Sequence, residues 1–125
     1  MILRRETMGE RMAMKIEIRT VHDARVLDCS GQIKLGEGTM AIRNTVRDIL
    51  QAGVKKIVLN LANVSYIDSA GVGELMSTYT TVANRGGKLK LLNLTKKIQD
   101  QLSITKLLTV FDVSDDEEAL IASFD

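Results

Sequence analysis

The run Ile57–Val58–Leu59–Asn60–Leu61 constrains the fold more than any other stretch of this chain. It is almost continuously apolar, a pattern that suits a central strand covered on both faces. Upstream, Ile42, Val46, Ile49 and Leu50 have the spacing of one helical face, and Gly53 closes that helix. Downstream, Val72, Leu75, Met76, Tyr79, Val82 and Ala83 form another helical stripe, stopped by Gly86–Gly87. Leu89, Leu91, Leu92 and Leu94 then predict a second buried strand.

The remaining elements follow from weaker signals. Residues 15–21 alternate charge with Ile16 and Ile18, as a half-exposed strand does. Residues 25–29 are its partner across a turn at His22–Asp23–Ala24, and the extended chain continues to Ile33. Gly36 and Gly38 mark a loop, after which Thr39 is placed to cap the first helix. A short helix after Thr95 turns Ile98 and Leu102 inward. Residues 109–113 predict a last strand. Ser114 and Glu117 have the spacing of a capping box for a terminal helix carrying Leu120, Ile121 and Phe124. The expected fold is α/β, an opening β-hairpin followed by alternating helices and strands, giving a mixed β-sheet with helices packed against it. The 125 residues fit one domain, taken as residues 14–125 behind a mobile N-terminal tail at 1–13.

Composition removes several function classes. Net charge is +1 and aromatics are 3%, too little basic face or stacking surface for a nucleic-acid binder. Lys55, Lys56, Lys88, Lys90, Lys96 and Lys97 are scattered among apolar residues and are expected on a solvated surface. Cys29 is the sole cysteine and sits in an apolar stretch, so a core thiol in a reducing compartment is expected. His22 is the sole histidine, and no cluster of metal ligands accompanies it. No metal and no cofactor is expected. No apolar run reaches the roughly 18 residues of a membrane span, which points to a cytoplasmic protein without membrane insertion.

The informative segment is residues 57–73, IVLNLANVSYIDSAGVG. A buried strand ends, and a helix starts at a Ser–Ala–Gly–Val–Gly run. Asp68 and Ser69 are residue types that cap such an end. The helix start carries unpaired N–H groups and partial positive charge. Gly71 and Gly73 strip side chains from the first turn, either for packing within the fold or for close approach by another protein. Ser69 lies outside any G-x-S-x-G motif, and the lysine of a phosphate-binding loop is missing, so hydrolase and nucleotide-binding chemistry are disfavoured.

This arrangement resembles the STAS domains (sulfate transporter and anti-sigma factor antagonist), especially the stand-alone anti-anti-sigma factors. The matching residues are the strand IVLNL, the turn Asp68–Ser69–Ala70–Gly71–Val72–Gly73, the link Arg85–Gly86–Gly87–Lys88–Leu89, and the ending Val110–Phe111–Asp112 with Asp116–Glu117–Glu118–Ala119–Leu120. The resemblance implies a non-enzymatic switch. Ser69 would be phosphorylated by a serine kinase that is itself the anti-sigma factor, and a phosphatase, of PP2C type, would reset it. Unphosphorylated protein would hold the kinase and release a sigma factor. The partner surface would comprise Asp68, Ser69, Ala70, Gly71, Val72, Gly73 and Thr39. One stretch departs from the pattern: Gly31–Gln32–Ile33–Lys34 stands where relatives carry an acidic pair. The alternative within the fold is an assembly subunit of a stressosome or lipid transport complex, without obligatory phosphorylation.

Overall fold

The computed structural model describes residues 14–125; the expected tail at residues 1–13 lies outside them. The elements are β1 (Met14–Val21), β2 (Ala24–Ile33), α1 (Glu37–Gln51), β3 (Lys56–Ile67), α2 (Ser69–Asn84), β4 (Lys88–Leu92), α3 (Lys96–Ile104), β5 (Val113–Ser114) and α4 (Glu117–Ala122). They form one sheet in the order β1-β2-β3-β4-β5. The β1–β2 pair is antiparallel and the other pairs are parallel. The expected mixed sheet with an opening hairpin is therefore present. The hairpin turn is tighter than expected: Val21 pairs with Ala24, and His22 adopts a positive φ of 56°.

Strand order equals chain order from β2 to β5, so each crossover lands on the same face of the sheet. Alternation along the strands sorts the core accordingly. Leu27, Cys29, Ile57, Leu59 and Leu91 face α1, α2 and α3, where Ile42, Val46, Leu75, Val82, Ile98 and Leu102 meet them. Ala24, Val26, Val58 and Leu92 face the other way, against Leu120 and Ile121 of α4. Ile57 and Val58 thus serve two cores, as a strand covered on both sides requires. Burial pushes the Cys29 thiol up to about 12, which makes it an inert core group.

The C-terminal third of the chain departs from expectation in three places. Lys90 is 3% exposed, not a solvated lysine. Alternation from Leu89 and Leu91 turns it inward, where Nζ pairs with Asp112 (3.3 Å), donates to Ser123 Oγ (2.6 Å) and lies 4.5 Å from the Phe124 ring centre. The strand expected over residues 109–113 shrinks to Val113–Ser114. Val110 N–H folds back to the Leu107 carbonyl (3.0 Å), and that turn drops Phe111 into the core, edge-on to Tyr79. The Ser114–Glu117 capping box is absent. Asp116 caps α4 by accepting from Ala119 N–H (3.1 Å), while Ser114 Oγ accepts from Asp116 N–H (3.0 Å).

Glu117 is free to do something else. Its carboxylate accepts from Arg19 of β1 (2.7 Å), and the same guanidinium forks onto Asp28 of β2. Asn60 donates to Asp28 (2.8 Å), and Asn93 donates to Asn60 (3.2 Å). This polar ladder crosses the sheet and latches α4 to its far edge. Burial alone would raise the Asp28 carboxyl, but the bonds from Arg19 and Asn60 outweigh it and hold the group below its ordinary value of 3.8. Arg19 likewise holds Glu117 below 4.5. Both folded values are depressed, so their stabilisation is present above the ordinary carboxylate range and is lost as pH falls through the folded values. Arg19→Leu is expected to cost about 1 kcal/mol at neutral pH, since the pair is partly exposed. In urea titrations from pH 7 to pH 3, the variant's stability is expected to fall less steeply on the acid side than wild type. Parallel curves would contradict the latch.

Candidate functional site

β3 outruns its neighbour. It pairs with β4 only as far as Asn60, then continues beside β2 to the Ile33–Ile67 pair. The carboxyl ends of β2 and β3 therefore project together, and the first turns of α1 and α2 start from them.

The start of α2 is organised by one carboxylate. Asp68 is the N-cap: Oδ1 accepts from Gly71 N–H (2.8 Å), and its carbonyl accepts from Val72 N–H (3.0 Å). Oδ2 reaches across to Leu35 N–H in the β2–α1 loop (3.1 Å). Asp68 N–H donates to the Ile33 carbonyl (3.3 Å). The N–H donors of Gly71 and Leu35 hold the Asp68 carboxyl below its ordinary range, so it is charged at neutral pH. Ser69 is the first residue of α2, exposed, and its hydroxyl has no hydrogen-bond partner among the described residues.

The two glycines of the first turn do different work. A Cβ on Gly71 would lie 2.2 Å from the Ile33 carbonyl oxygen and 2.6 Å from Ile67 Cγ1. Its missing side chain admits the chain's own strand ends, the packing alternative of the two. Gly73 faces open space. Val72 is buried and Ala70 half-buried. The expectation for Thr39 is corrected: it is not the N-cap of α1 but sits about one turn deeper, at the third helical position. Gly36, with φ 103°, turns the chain into the helix early. Thr39 is buried, and its Oγ1 accepts from Gly36 N–H (3.2 Å). Ser69, Asp68, Ala70 and Gly73 thus share an accessible edge, with Gly71, Val72 and Thr39 beneath it.

Two features here escape a reading of apolar spacing. Glu74 is 5% exposed on α2, accepts from Arg43 of α1 (2.7 Å) and from Thr78 Oγ1 (2.9 Å), and so ties the two helices together. The expected stripe placed Ala83 inward, yet Ala83 is exposed; Gly71, Glu74 and Thr78, at i, i+3 and i+7, share the inward face instead. Gln101 of α3 donates to the Ile67 carbonyl (2.8 Å), buttressing the residue before Asp68. His22 lies at the opposite end of the sheet, beside the Ala24–Lys56 pair. Eleven strand residues separate that level from Ile67, roughly 35 Å, so Ser69 and His22 cannot form a catalytic pair. Among the described residues, no group of three or more His, Cys, Asp or Glu is placed to hold a metal ion, and no helix is long and apolar enough to cross a membrane.

Comparison with known proteins gives a consistent picture. A family model described as the STAS domain matches residues 15–120. The anti-sigma-B factor antagonist of Bacillus subtilis is 41% identical over 54 residues, which cover 43% of this chain and half the length of that relative. A Thermotoga maritima protein provisionally assigned as an anti-sigma factor antagonist superposes with a TM-score of 0.80 at 24% identity, over 87% of this chain and 93% of that one. The Bacillus cell fate determinant SpoIIAA, solved in its phosphorylated form, superposes with a TM-score of 0.65 at 19% identity, over 85% and 96%. At these identities the two superpositions speak for the fold.

The glycine pair supplies a direct test of the site's construction. Gly71→Ala is expected to cost about 3 kcal/mol, because the clash is with backbone that cannot yield. Gly73→Ala is expected to be neutral or to stabilise by about 0.5–1 kcal/mol, since alanine favours the helix and meets nothing. Urea unfolding of both variants reads the difference, and equal effects would contradict this packing.

Proposed function

The chain belongs to the STAS domain family, and on that premise we propose that it is an anti-sigma factor antagonist switched by phosphorylation of Ser69. The observation that carries the proposal is a serine with an unengaged hydroxyl at the exposed first position of a helix, one residue after a charged cap. Unphosphorylated, the edge formed by Asp68, Ser69, Ala70 and Gly73 docks an anti-sigma factor that is also a serine kinase, and the sigma factor is set free. Gly71, Val72 and Thr39 belong to the same partner site as its supports. The kinase transfers the γ-phosphoryl group of ATP to the Ser69 oxygen, and a PP2C-type phosphatase removes it. The protein itself acts by binding, in the cytoplasm, where such a kinase has ATP.

The physics of the site suits this device. Phosphate adds about −1.5 to −2 charges and three strong acceptors. The helix end tolerates an anion, because its N–H groups and dipole favour one. The docking surface does not tolerate it equally. The new charge sits next to the ionised Asp68 carboxylate, at the point where a partner must approach. Each 1.4 kcal/mol of repulsion is about tenfold in affinity, so the binding equilibrium can move while the fold stays. The sequence departure lies at the same edge. Gln32 and Lys34 flank Ile33, whose partner Ile67 directly precedes Asp68, so the partner surface opposing them is matched to this chain rather than to relatives with an acidic pair.

Incubation with the anti-sigma factor kinase and ATP from the same cell, followed by phosphosite mapping, tests the assignment. Ser69 is expected to be modified, and Ser69→Ala is expected to bind the kinase yet resist modification. Ser69→Asp is expected to weaken binding at least about tenfold with little change in melting temperature, and the phosphoprotein more so. Equal affinity of the unmodified, Ser69→Asp and phosphorylated forms would overturn the switch and favour a constitutive assembly subunit.

A further inference from the structure

The loop between β2 and α1 is braced at every residue, yet it displays an apolar side chain to water. Thr39 N–H donates to the Lys34 carbonyl (3.1 Å), Gly36 N–H to Thr39 Oγ1 (3.2 Å) and Leu35 N–H to Asp68 Oδ2 (3.1 Å). Gly38 lacks a Cβ where one would meet the Gln32 carbonyl oxygen at 2.5 Å. The side chain this scaffold presents is Leu35, 78% exposed. Met40, 52% exposed, follows at the start of α1. An unbraced loop could fold such a leucine against the nearby core. This one holds it out, one hydrogen bond from the residue that precedes Ser69.

The surroundings narrow what would cover it. Lys34 precedes Leu35 and is exposed, and Arg43 lies one helical turn after Met40, its guanidinium oriented by the buried Glu74 carboxylate. Along the chain, Lys34 and Arg43 thus flank these two exposed apolar side chains, with Glu37 between them, on an edge that Leu35 N–H joins to Asp68. We propose that Leu35, supported by Met40 at the start of α1, is the apolar anchor through which the anti-sigma factor grips this face, seated in an apolar pocket with an acidic group opposite Lys34, and that Asp68 is its positioning residue. This rests on the antagonist reading above and names the contact that would make it specific. Apolar anchors in a desolvated pocket commonly dominate an interface, with polar contacts forming the rim.

Calorimetry against the purified anti-sigma factor kinase tests the anchor. Leu35→Ala is expected to weaken binding about tenfold or more and Leu35→Lys about a hundredfold, while Leu35→Met stays within about threefold of wild type. Lys34→Glu is expected to weaken binding as well, by repelling the acidic group opposite it. Ile104→Ala, at an equally exposed residue on the end of α3 (80% exposed), is expected to leave affinity unchanged. Because Leu35 is exposed, its variants should unfold at the wild-type urea midpoint. Asp68→Asn keeps an oxygen for Gly71 but cannot accept from Leu35 as well, so amide exchange at Leu35 is expected to quicken about tenfold in the free protein. Wild-type affinity for every Leu35 variant would overturn the anchor and leave the antagonist reading standing. No binding by wild type would overturn both. Unchanged Leu35 exchange in Asp68→Asn would overturn the positioning role.

Discussion

The head of α2 hangs on a close approach that only glycine permits. Helix α2 crosses the ends of β2 and β3 with Gly71 directly over the Ile33 carbonyl and the Ile67 side chain. Any Cβ there would lift the helix from the strands. With the helix lifted, Asp68 could not cap Gly71 and hold Leu35 at once, because both donors lie within reach only while the strand ends and the helix start touch. The Ile33–Ile67 pair is itself fixed by the parallel register of β2 and β3 and buttressed by Gln101 from α3. This close packing therefore sets where Asp68 meets both Gly71 and Leu35.

The residues that carry the packing are cleanly divided from the exposed edge at Ser69. The sheet face toward α1, α2 and α3 buries the larger core, and α4 covers the other face with a smaller one secured by Lys90 and by the Arg19–Asp28–Glu117 ladder. None of those groups reaches the edge where Ser69 lies. A charge added at Ser69 meets a helix terminus and a solvated surface, not a packed interior. On the proposed reading, that separation would let a modification at Ser69 change recognition without unfolding the domain, since buried charge is costly while a charge at a helix N-terminus is favoured.

Much of this was legible in the chain. Ile57, Val58, Leu59 and Leu61 marked the central strand because two-sided burial leaves no polar positions, and Asp68 before a glycine-rich start marked the head of α2. The errors have physical causes. Thr39 looked like a cap because its hydroxyl is the right chemistry; the positive φ of Gly36 started α1 earlier and left Thr39 to serve from inside the helix. Lys90 looked solvated because charge usually is, but strand alternation turned it inward toward Asp112 and Ser123. Residues 109–113 looked like a strand because their apolar residues match one, whereas the turn at Val110 satisfies the backbone locally and buries Phe111. Glu74 and Leu35 were illegible for a common reason: a buried carboxylate and an exposed leucine each contradict the side-chain type, and only the contacts with Arg43 and Asp68 reveal them.

The central claim is that partner recognition is confined to the edge formed by the β2–α1 loop and the head of α2. The most direct measurement is the amide-exchange footprint of the anti-sigma factor on this protein. Protection is expected at residues 34–40 and 68–73, absent when Ser69 carries phosphate, with β3 amides equally slow in both forms. Protection centred on α4 or on β1, or a footprint unaltered by phosphate, would contradict the account.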